Sequence, residues 1–194
     1  MRLKFSVKTL DQGGLTKASE QLRALVAKDF AAQLLIGIRT GGYVVAEAFS
    51  QASQPIPLSP ITCRRPSTGK KQKSSLLKKL LLGAPTCITN QLRIAEHICL
   101  TQLKSPAPRT VTFDDAELAL IRQMGANKIL IIDDSVDSGG TLRAVYDAVS
   151  LACPNAKIKT AAITITTENP LIQPDYYLYR YVLCRFPWSL DFKR

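Results

Sequence analysis

Hydrophobic residues in this chain follow two patterns, short unbroken runs and positions three or four residues apart. Unbroken runs at 33–38 and 128–134 predict strands that are buried on both faces. Two further strands are predicted at 158–165 and 176–183. Helical spacing predicts helices at 16–30, 43–50, 87–103, 114–124 and 139–153. Because strands that alternate with helices are typical of a parallel sheet covered by helices, the pattern predicts an α/β fold.

Length and composition indicate how many domains the chain forms and which class of partner it binds. The 194 residues, 46% of them hydrophobic, fit one domain over residues 1–194. A formal net charge of +11 favours an anionic partner: nucleic acid, an anionic membrane or a phosphorylated small molecule. Five cysteines without a C-x-x-C pair indicate neither a disulfide framework nor a zinc site. With neither a signal peptide nor a bilayer-spanning run, we expect a cytoplasmic protein without a membrane partner.

Two adjacent carboxylates, Asp133 and Asp134, end the second buried run. Ligands of parallel sheets bind beyond the carboxyl ends of the strands, where paired carboxylates suit hydroxyl groups or a magnesium ion. The next helix begins at four residues with small or hydroxyl side chains: Ser138, Gly139, Gly140 and Thr141. Their backbone N–H groups and hydroxyls can surround a phosphate. A polyol phosphate would fit both features, with its hydroxyls at the carboxylates and its phosphate at the helix start. Helix capping by the acids and a plain glycine turn would explain the same residues.

Residues 129–142 resemble the phosphoribosyl pyrophosphate (PRPP) signature of type I phosphoribosyltransferases, in which four apolar residues and two acids precede Asp-Ser/Thr-Gly-x-Thr. The resemblance implies a Rossmann-like parallel sheet flanked by helices, with a small C-terminal hood. It also implies that Asp133 and Asp134 hold the ribose hydroxyls and Mg²⁺, and that residues 138–141 hold the 5-phosphate. Asp137 would act as the general base on the acceptor nitrogen.

A second glycine turn follows the first buried run and consists of Arg39, Thr40, Gly41 and Gly42. It resembles the family's pyrophosphate-binding loop, which presents backbone N–H groups and one cation to the leaving group. Taken alone, such a turn is equally typical of a plain strand-to-helix connection. Its position ahead of residues 129–142 favours the pyrophosphate loop.

A basic segment at 64–79 resembles in position the family's flexible loop that closes over the active site. Closure would exclude water and protect the reactive ribose from hydrolysis. The segment contains seven lysines and arginines: Arg64, Arg65, Lys70, Lys71, Lys73, Lys78 and Lys79. A solvated charged face and a nucleic-acid-binding surface are the alternatives.

The C-terminal residues 175–177 and 181–188 resemble the hood of the xanthine–guanine, purine-type branch, whose chains end in a similar Pro-Trp sequence. The hood would comprise 166–194, with part of the N-terminus. Leu183, Phe186 and Trp188 are its candidate acceptor-binding residues, although aromatic residues there would equally serve as core anchors. Purine enzymes of the 6-oxo type place a lysine after the strand that corresponds to 161–165, whereas Thr166 follows here. The identity of the acceptor therefore stays open, and the single histidine, His97, is interpreted as structural.

The motifs predict a Mg²⁺-dependent phosphoribosyltransferase that transfers ribose 5-phosphate from PRPP to a nitrogenous heterocycle and releases pyrophosphate. Purine salvage within nucleotide metabolism is the implied pathway, and family habit implies a homodimer. A non-catalytic, PRPP-sensing regulator that binds nucleic acid through its basic surface is the alternative. A receiver-type signalling domain also carries paired acids at a strand end, but it does not predict the glycine cradles.

Overall fold

The structure is a computed structural model that describes residues 5–51, 55–63, 85–103, 114–189 and 191–192. The predicted basic loop at 64–79 lies outside the described residues. Among the described helices, none is long and apolar enough to cross a membrane.

Five parallel strands form the main sheet in the order β3-β2-β4-β5-β6. The strands are β2 (Leu34–Ile38), β3 (Leu58–Ile61), β4 (Lys128–Val136), β5 (Lys157–Ile165) and β6 (Tyr176–Arg180). Every residue of β2 is buried, and so are the apolar residues at 129–132 of β4. The unbroken hydrophobic runs therefore occupy neighbouring central strands, which is the arrangement that burial on both faces requires.

Helices cover both faces of this sheet and confirm the predicted α/β class. They are α1 (Gln12–Val26), α2 (Gly41–Ser50), α3 (Thr86–Leu103), α4 (Asp115–Gln123) and α5 (Gly140–Ala152). One hydrophobic cluster joins α1 and α2 to the sheet, and a second joins α4 and α5 to it. Helix α1 begins four residues before the predicted start at Thr16, because the Asp11 side chain caps it and accepts a hydrogen bond from Gly14 N at 2.7 Å.

A separate two-stranded parallel sheet consists of β1 (Ser6–Thr9) and β7 (Val182–Arg185). The prediction of one strand over 176–183 is therefore wrong, because Tyr181 has a positive φ of 60° and interrupts it. Residues before Tyr181 pair with β5, whereas those after it pair with β1. The left-handed conformation at Tyr181 thus directs the chain from the main sheet to the small one.

Buried polar contacts fix the C-terminal segment that follows β7. The side chain of Arg185 is 4% exposed and donates from Nε to Asp191 Oδ2 at 2.8 Å. It also donates to Thr9 Oγ1 at 3.0 Å and to Asn90 Oδ1 at 2.9 Å. Arg93 on α3 donates to the second oxygen of Asp191 at 2.5 Å. One carboxylate thus ties the end of the chain to α3 and the small sheet.

Candidate functional site

The two predicted glycine turns lie at the same edge of the sheet, because the strands that lead into them are parallel neighbours. Strand β2 pairs with β4 in parallel, with Gly37 opposite Ile132. The turn of residues 39–42 therefore lies against the acids that follow Ile132. Placement of both turns at the same edge of a parallel sheet produces the crevice in which ligands of open α/β sheets bind.

The first turn packs so tightly on β4 that its glycines leave no space for a side chain. A Cβ at Gly42 would lie 2.6 Å from Ile132 O and 2.8 Å from Asp133 Cα. A Cβ at Gly41 would overlap the Asp134 carboxylate. Helix α2 begins at Gly41, so its first backbone N–H groups, which have no intrahelical acceptor, lie beside the acids. Such a helix start can bind an anion.

Arg39 and Thr40 complete this turn, and the peptide bond between them is cis. The Arg39 guanidinium lies 5.7 Å from the centre of the Tyr43 ring, and both Arg39 and Thr40 are exposed. An exposed cation at a helix start adds positive charge to the same anion-binding position.

Asp133 and Asp134 lie within β4, in the part of the strand that meets the first turn. Asp133 is 8% exposed, and its Oδ1 accepts a hydrogen bond from Asp134 N at 2.9 Å. Burial, followed by the neighbouring charge of Asp134, raises the pKa of Asp133 well above its ordinary value. Burial likewise raises the pKa of Asp134. Two close, desolvated carboxyl groups favour partners that supply positive charge or hydroxyl donors.

Trp188 contacts the second of these acids. Its Nε1–H donates to Asp134 Oδ2 at 3.0 Å. The hydrogen bond lowers the pKa of Asp134, although the raising effect of burial is larger. The sequence predicted Trp188 as an acceptor-binding aromatic residue, and the structure brings its polar edge to the predicted ribose site.

The second turn connects β4 to α5 through Asp137, Ser138 and Gly139. Gly139 is the N-cap of α5 and has a φ of +75° in the left-handed region. Ser138 Oγ accepts from Gly140 N at 3.5 Å, and Ser138 O accepts from Leu171 N at 2.9 Å. Gly140 and Thr141 form the first turn of the helix. Residues 138–141 thus lie at a helix start, where the sequence predicted a phosphate cradle.

Asp137 is held by a threonine whose contact with it was not predicted. Thr166 Oγ1 donates to Asp137 Oδ1 at 2.5 Å, and Thr166 N donates to Val136 O at 3.0 Å. His97 Nε2 lies 3.0 Å from Thr166 O. The pairing of parallel strands could have indicated this contact, because Val136 lies opposite Ile165 in the β4–β5 register. Residues 137 and 166 each follow one member of that pair.

The other candidate acceptor residues are largely covered by the protein. Leu183 is 5% exposed and Phe186 is 4% exposed. Phe186 stacks on Trp188 with a centroid distance of 4.9 Å and an interplanar angle of 3°, and it belongs to the hydrophobic cluster that includes α1 and α2. An acceptor-binding role for Leu183, Phe186 and Trp188 stays a prediction.

The acidic pair has the chemistry of residues that could hold a metal ion. Among the described residues, no group of three or more His, Cys, Asp or Glu side chains could hold a metal ion. Mg²⁺ commonly takes one or two carboxylates and completes its coordination with waters and substrate phosphates. Asp133 and Asp134 are two adjacent carboxyl groups at the end of one strand and could supply such a donor set once they are deprotonated.

Comparisons with known proteins gave matches among solved structures, whereas no family model and no curated protein sequence matches the chain. The purine phosphoribosyltransferase of Pyrococcus horikoshii aligns over 94% of this chain and 93% of its own, with 19% identity and a TM-score of 0.59. The Helicobacter pylori xanthine-guanine-hypoxanthine phosphoribosyltransferase aligns over 96% of both chains, with 16% identity and a TM-score of 0.61. A hypothetical protein from Neisseria gonorrhoeae with bound ppGpp aligns over 97% of this chain and 91% of its own, with 12% identity and a TM-score of 0.60.

Proposed function

Since the chain has the type I phosphoribosyltransferase fold of purine-type enzymes, we propose that it transfers ribose 5-phosphate from PRPP to a nitrogenous heterocycle and releases pyrophosphate. One observation carries the proposal. The acidic pair at 133–134 lies between two helix starts, one after each of two neighbouring strands. PRPP likewise has an anionic group on each side of a sugar diol.

Each part of PRPP has a matching group in this arrangement. The pyrophosphate would bind the turn at 39–42, where the start of α2 and the Arg39 guanidinium supply positive potential. The ribose hydroxyls would donate to Asp133 and Asp134. The 5-phosphate would accept from the backbone N–H groups of residues 138–141 at the start of α5.

Transfer breaks the bond between the anomeric carbon and the pyrophosphate oxygen and forms a bond from that carbon to the acceptor nitrogen. Positive charge develops on the ribose during this exchange, and the carboxylates of Asp133 and Asp134 would stabilise it. Asp137 would accept the proton that leaves the acceptor nitrogen. Asp133 and Asp134 would hold a magnesium ion, and the chemistry it would supply is neutralisation of negative charge on the pyrophosphate.

A purine base is the proposed acceptor, because two proteins of the same fold are described as purine and xanthine-guanine-hypoxanthine phosphoribosyltransferases. Salvage of purines in nucleotide metabolism would be the corresponding role. The homodimer and the cytoplasmic location stay predictions.

A regulator that binds a nucleotide or PRPP without turnover is the second candidate. Two observations favour it: the formal net charge of +11, which also suits nucleic acid, and the ppGpp bound by the Neisseria protein of similar fold. The two candidates differ in whether binding leads to release of pyrophosphate.

Calorimetric titration with PRPP, with and without magnesium, tests the proposal, followed by a screen of purines, pyrimidines and other heterocycles for pyrophosphate release. We expect magnesium-dependent binding and release with one acceptor class. The Asp133→Asn, Asp134→Asn double variant should lose the magnesium-dependent binding. Binding without release for any acceptor would favour the regulator. No binding of PRPP would refute the transferase and would leave only a regulator that binds another nucleotide.

A further inference from the structure

Trp188 is the only tryptophan in the chain, and its indole meets the candidate sugar site edge-on. The Nε1–H donates to Asp134 Oδ2 at 3.0 Å, while one face of the ring stacks on Phe186 at an interplanar angle of 3°. The polar edge of the indole therefore points at a carboxylate, and a neighbouring aromatic ring covers one of its faces.

The segment that carries Trp188 is held in place independently of Asp134. Phe186 N donates to Ser189 Oγ at 3.0 Å, and Ser189 N donates to Phe186 O at 2.8 Å, so residues 186–189 form a closed turn. On either side of this turn, Arg185 and Asp191 form the buried ion pair at 2.8 Å. The indole position is therefore set by the C-terminal segment itself. Asp134 accepts from this fixed indole in addition to its hydrogen bonds with the Asp133 side chain and with the backbone of residues 134 and 135.

The first glycine turn is shaped around the same contact. A Cβ at Gly41 would overlap the Asp134 carboxylate and would lie 2.8 Å from Trp188 Nε1. Three separate parts of the chain thus meet at one point: the turn at 39–42, the acid on β4 and the indole from the C-terminal segment. Any side chain at position 41 would displace the hydrogen bond.

We propose that Trp188 is a positioning residue for the sugar site, whose indole N–H holds Asp134 Oδ2 and so keeps this carboxylate in place to accept a hydrogen bond from a ribose hydroxyl. This inference rests on the proposed function and deepens it. It gives the C-terminal segment 185–189 a role in PRPP binding and assigns Trp188 to the sugar rather than to the acceptor. A hydrogen bond to a charged acceptor is among the stronger ones in proteins, so its loss should be measurable.

Trp188→Phe tests the proposal because it removes the N–H and retains an aromatic ring. We expect the Kd for PRPP, measured with magnesium, to rise about tenfold. We expect kcat/KM for PRPP to fall by a similar factor, mainly through KM, because the contact is present before the transition state. KM for the acceptor should stay the same. Tyr179→Phe is the matched control, since it removes one polar atom from an aromatic residue of the same region, a hydroxyl that accepts from Lys8 Nζ at 2.9 Å and not from the sugar site.

A second measurement uses the wild-type protein and does not depend on the folding of the Trp188 variant. A single tryptophan gives a single indole ¹H–¹⁵N resonance, which we expect to shift when PRPP and magnesium bind. The same resonance should shift in Asp134→Asn without any ligand, because the acceptor of the indole hydrogen bond changes from a carboxylate to an amide.

The outcomes separate this inference from the proposed function. If the wild-type protein binds PRPP and Trp188→Phe binds it equally well, the inference is wrong, whereas the proposed function is unaffected. An indole resonance that is the same in Asp134→Asn and the wild type also overturns the inference. If Trp188→Phe and Tyr179→Phe weaken PRPP binding equally, a general effect on the hood replaces the specific role. A wild-type protein that does not bind PRPP refutes the proposed function and the inference together.

Discussion

The two glycine turns of the candidate site use glycine for different physical reasons. In the first turn, Gly42 adopts no left-handed conformation, but its Cα lies so close to β4 that a Cβ would be 2.6 Å from Ile132 O. In the second turn, Gly139 has a φ of +75° and a Cβ there would lie 2.9 Å from the backbone N atoms of Leu171 and Ile172. The first turn requires close approach, whereas the second requires both an unusual conformation and close approach. A Gly-Gly pair in the sequence does not distinguish these cases.

The turns should also differ in chemistry, and Asp137→Asn gives the largest expected effect. Only the second turn carries a candidate general base, so we expect turnover to fall about 100-fold or more while PRPP affinity is retained. Steady-state kinetics with the acceptor identified by the screen would measure the loss, and calorimetry would measure the affinity. Turnover equal to that of the wild type would remove Asp137 from its proposed role.

Gly42→Ala should destabilise the protein by about 3 kcal/mol, since overpacking against backbone atoms leaves the turn no way to relax. Urea denaturation would give the free energy of unfolding. Gly13→Ala is the matched control, because a Cβ there would lie 3.8 Å from Asp11 Oδ1, an ordinary contact distance. Because alanine is also the better helix former, that control should be neutral or slightly more stable than the wild type. Equal stabilities for the two variants would contradict the packing argument.

Local patterns in the sequence predicted much of this site. The acids at 133–134 and the helix start at 138–141 are separated by only three residues, so their order along one strand and one helix fixes their relative positions. The buried character of both runs predicted two central strands, but it did not predict that β2 pairs with β4 and brings both turns to one edge. These features depend on short-range geometry and on the rule that parallel strands end at one edge.

Contacts between distant segments could not be predicted in the same way. The bond from Trp188 to Asp134 joins residues 54 positions apart, and it depends on where the C-terminal segment packs. The predicted strand at 176–183 is divided because Tyr181 has a positive φ. That conformation is uncommon for tyrosine, so no signal in the sequence indicated it. The early start of α1 was hidden by Gly13 and Gly14, which disfavour helix interiors but lie in the first turn after the Asp11 cap.

A pair of variants separates the conformational part of the second turn from its packing part. Gly125 also has a positive φ, of 59°, but a Cβ there would meet nothing within 4 Å. Gly125→Ala should therefore lower the free energy of unfolding by about 1 kcal/mol, which is the cost of holding a non-glycine residue in the left-handed region. Gly139→Ala should lower the free energy of unfolding by about 2 kcal/mol, because its Cβ would also crowd the backbone of 171–172. Equal losses of unfolding free energy would show that close approach is unimportant at Gly139.

The smallest expected effect concerns the segment that covers the first turn, and it depends on pH. Burial raises the pKa of Asp191, but hydrogen bonds from Arg185 and Arg93 outweigh that effect and hold the pKa below its ordinary value of 3.8. A carboxyl group whose pKa is lower in the folded state contributes stability that is complete above its ordinary pKa. That contribution is lost as the pH falls through the folded-state value. Asp191 should therefore stabilise the protein at neutral pH and progressively less once the pH falls below 3.8.

Asp191→Asn isolates this contribution, because asparagine keeps the shape of the side chain and has no titrating group. The difference in unfolding free energy between the wild type and Asp191→Asn should be constant near neutral pH and should shrink as the pH falls below the ordinary carboxyl pKa of 3.8. Arg143→Gln, which removes the exposed ion pair with Asp147, is the control and should have little effect at any pH. A difference that is independent of pH would mean that the C-terminal segment is held by packing around Phe186 rather than by the Asp191 carboxylate. The indole of Trp188 would then depend on apolar contacts for its position over the first turn, and acid would not release it.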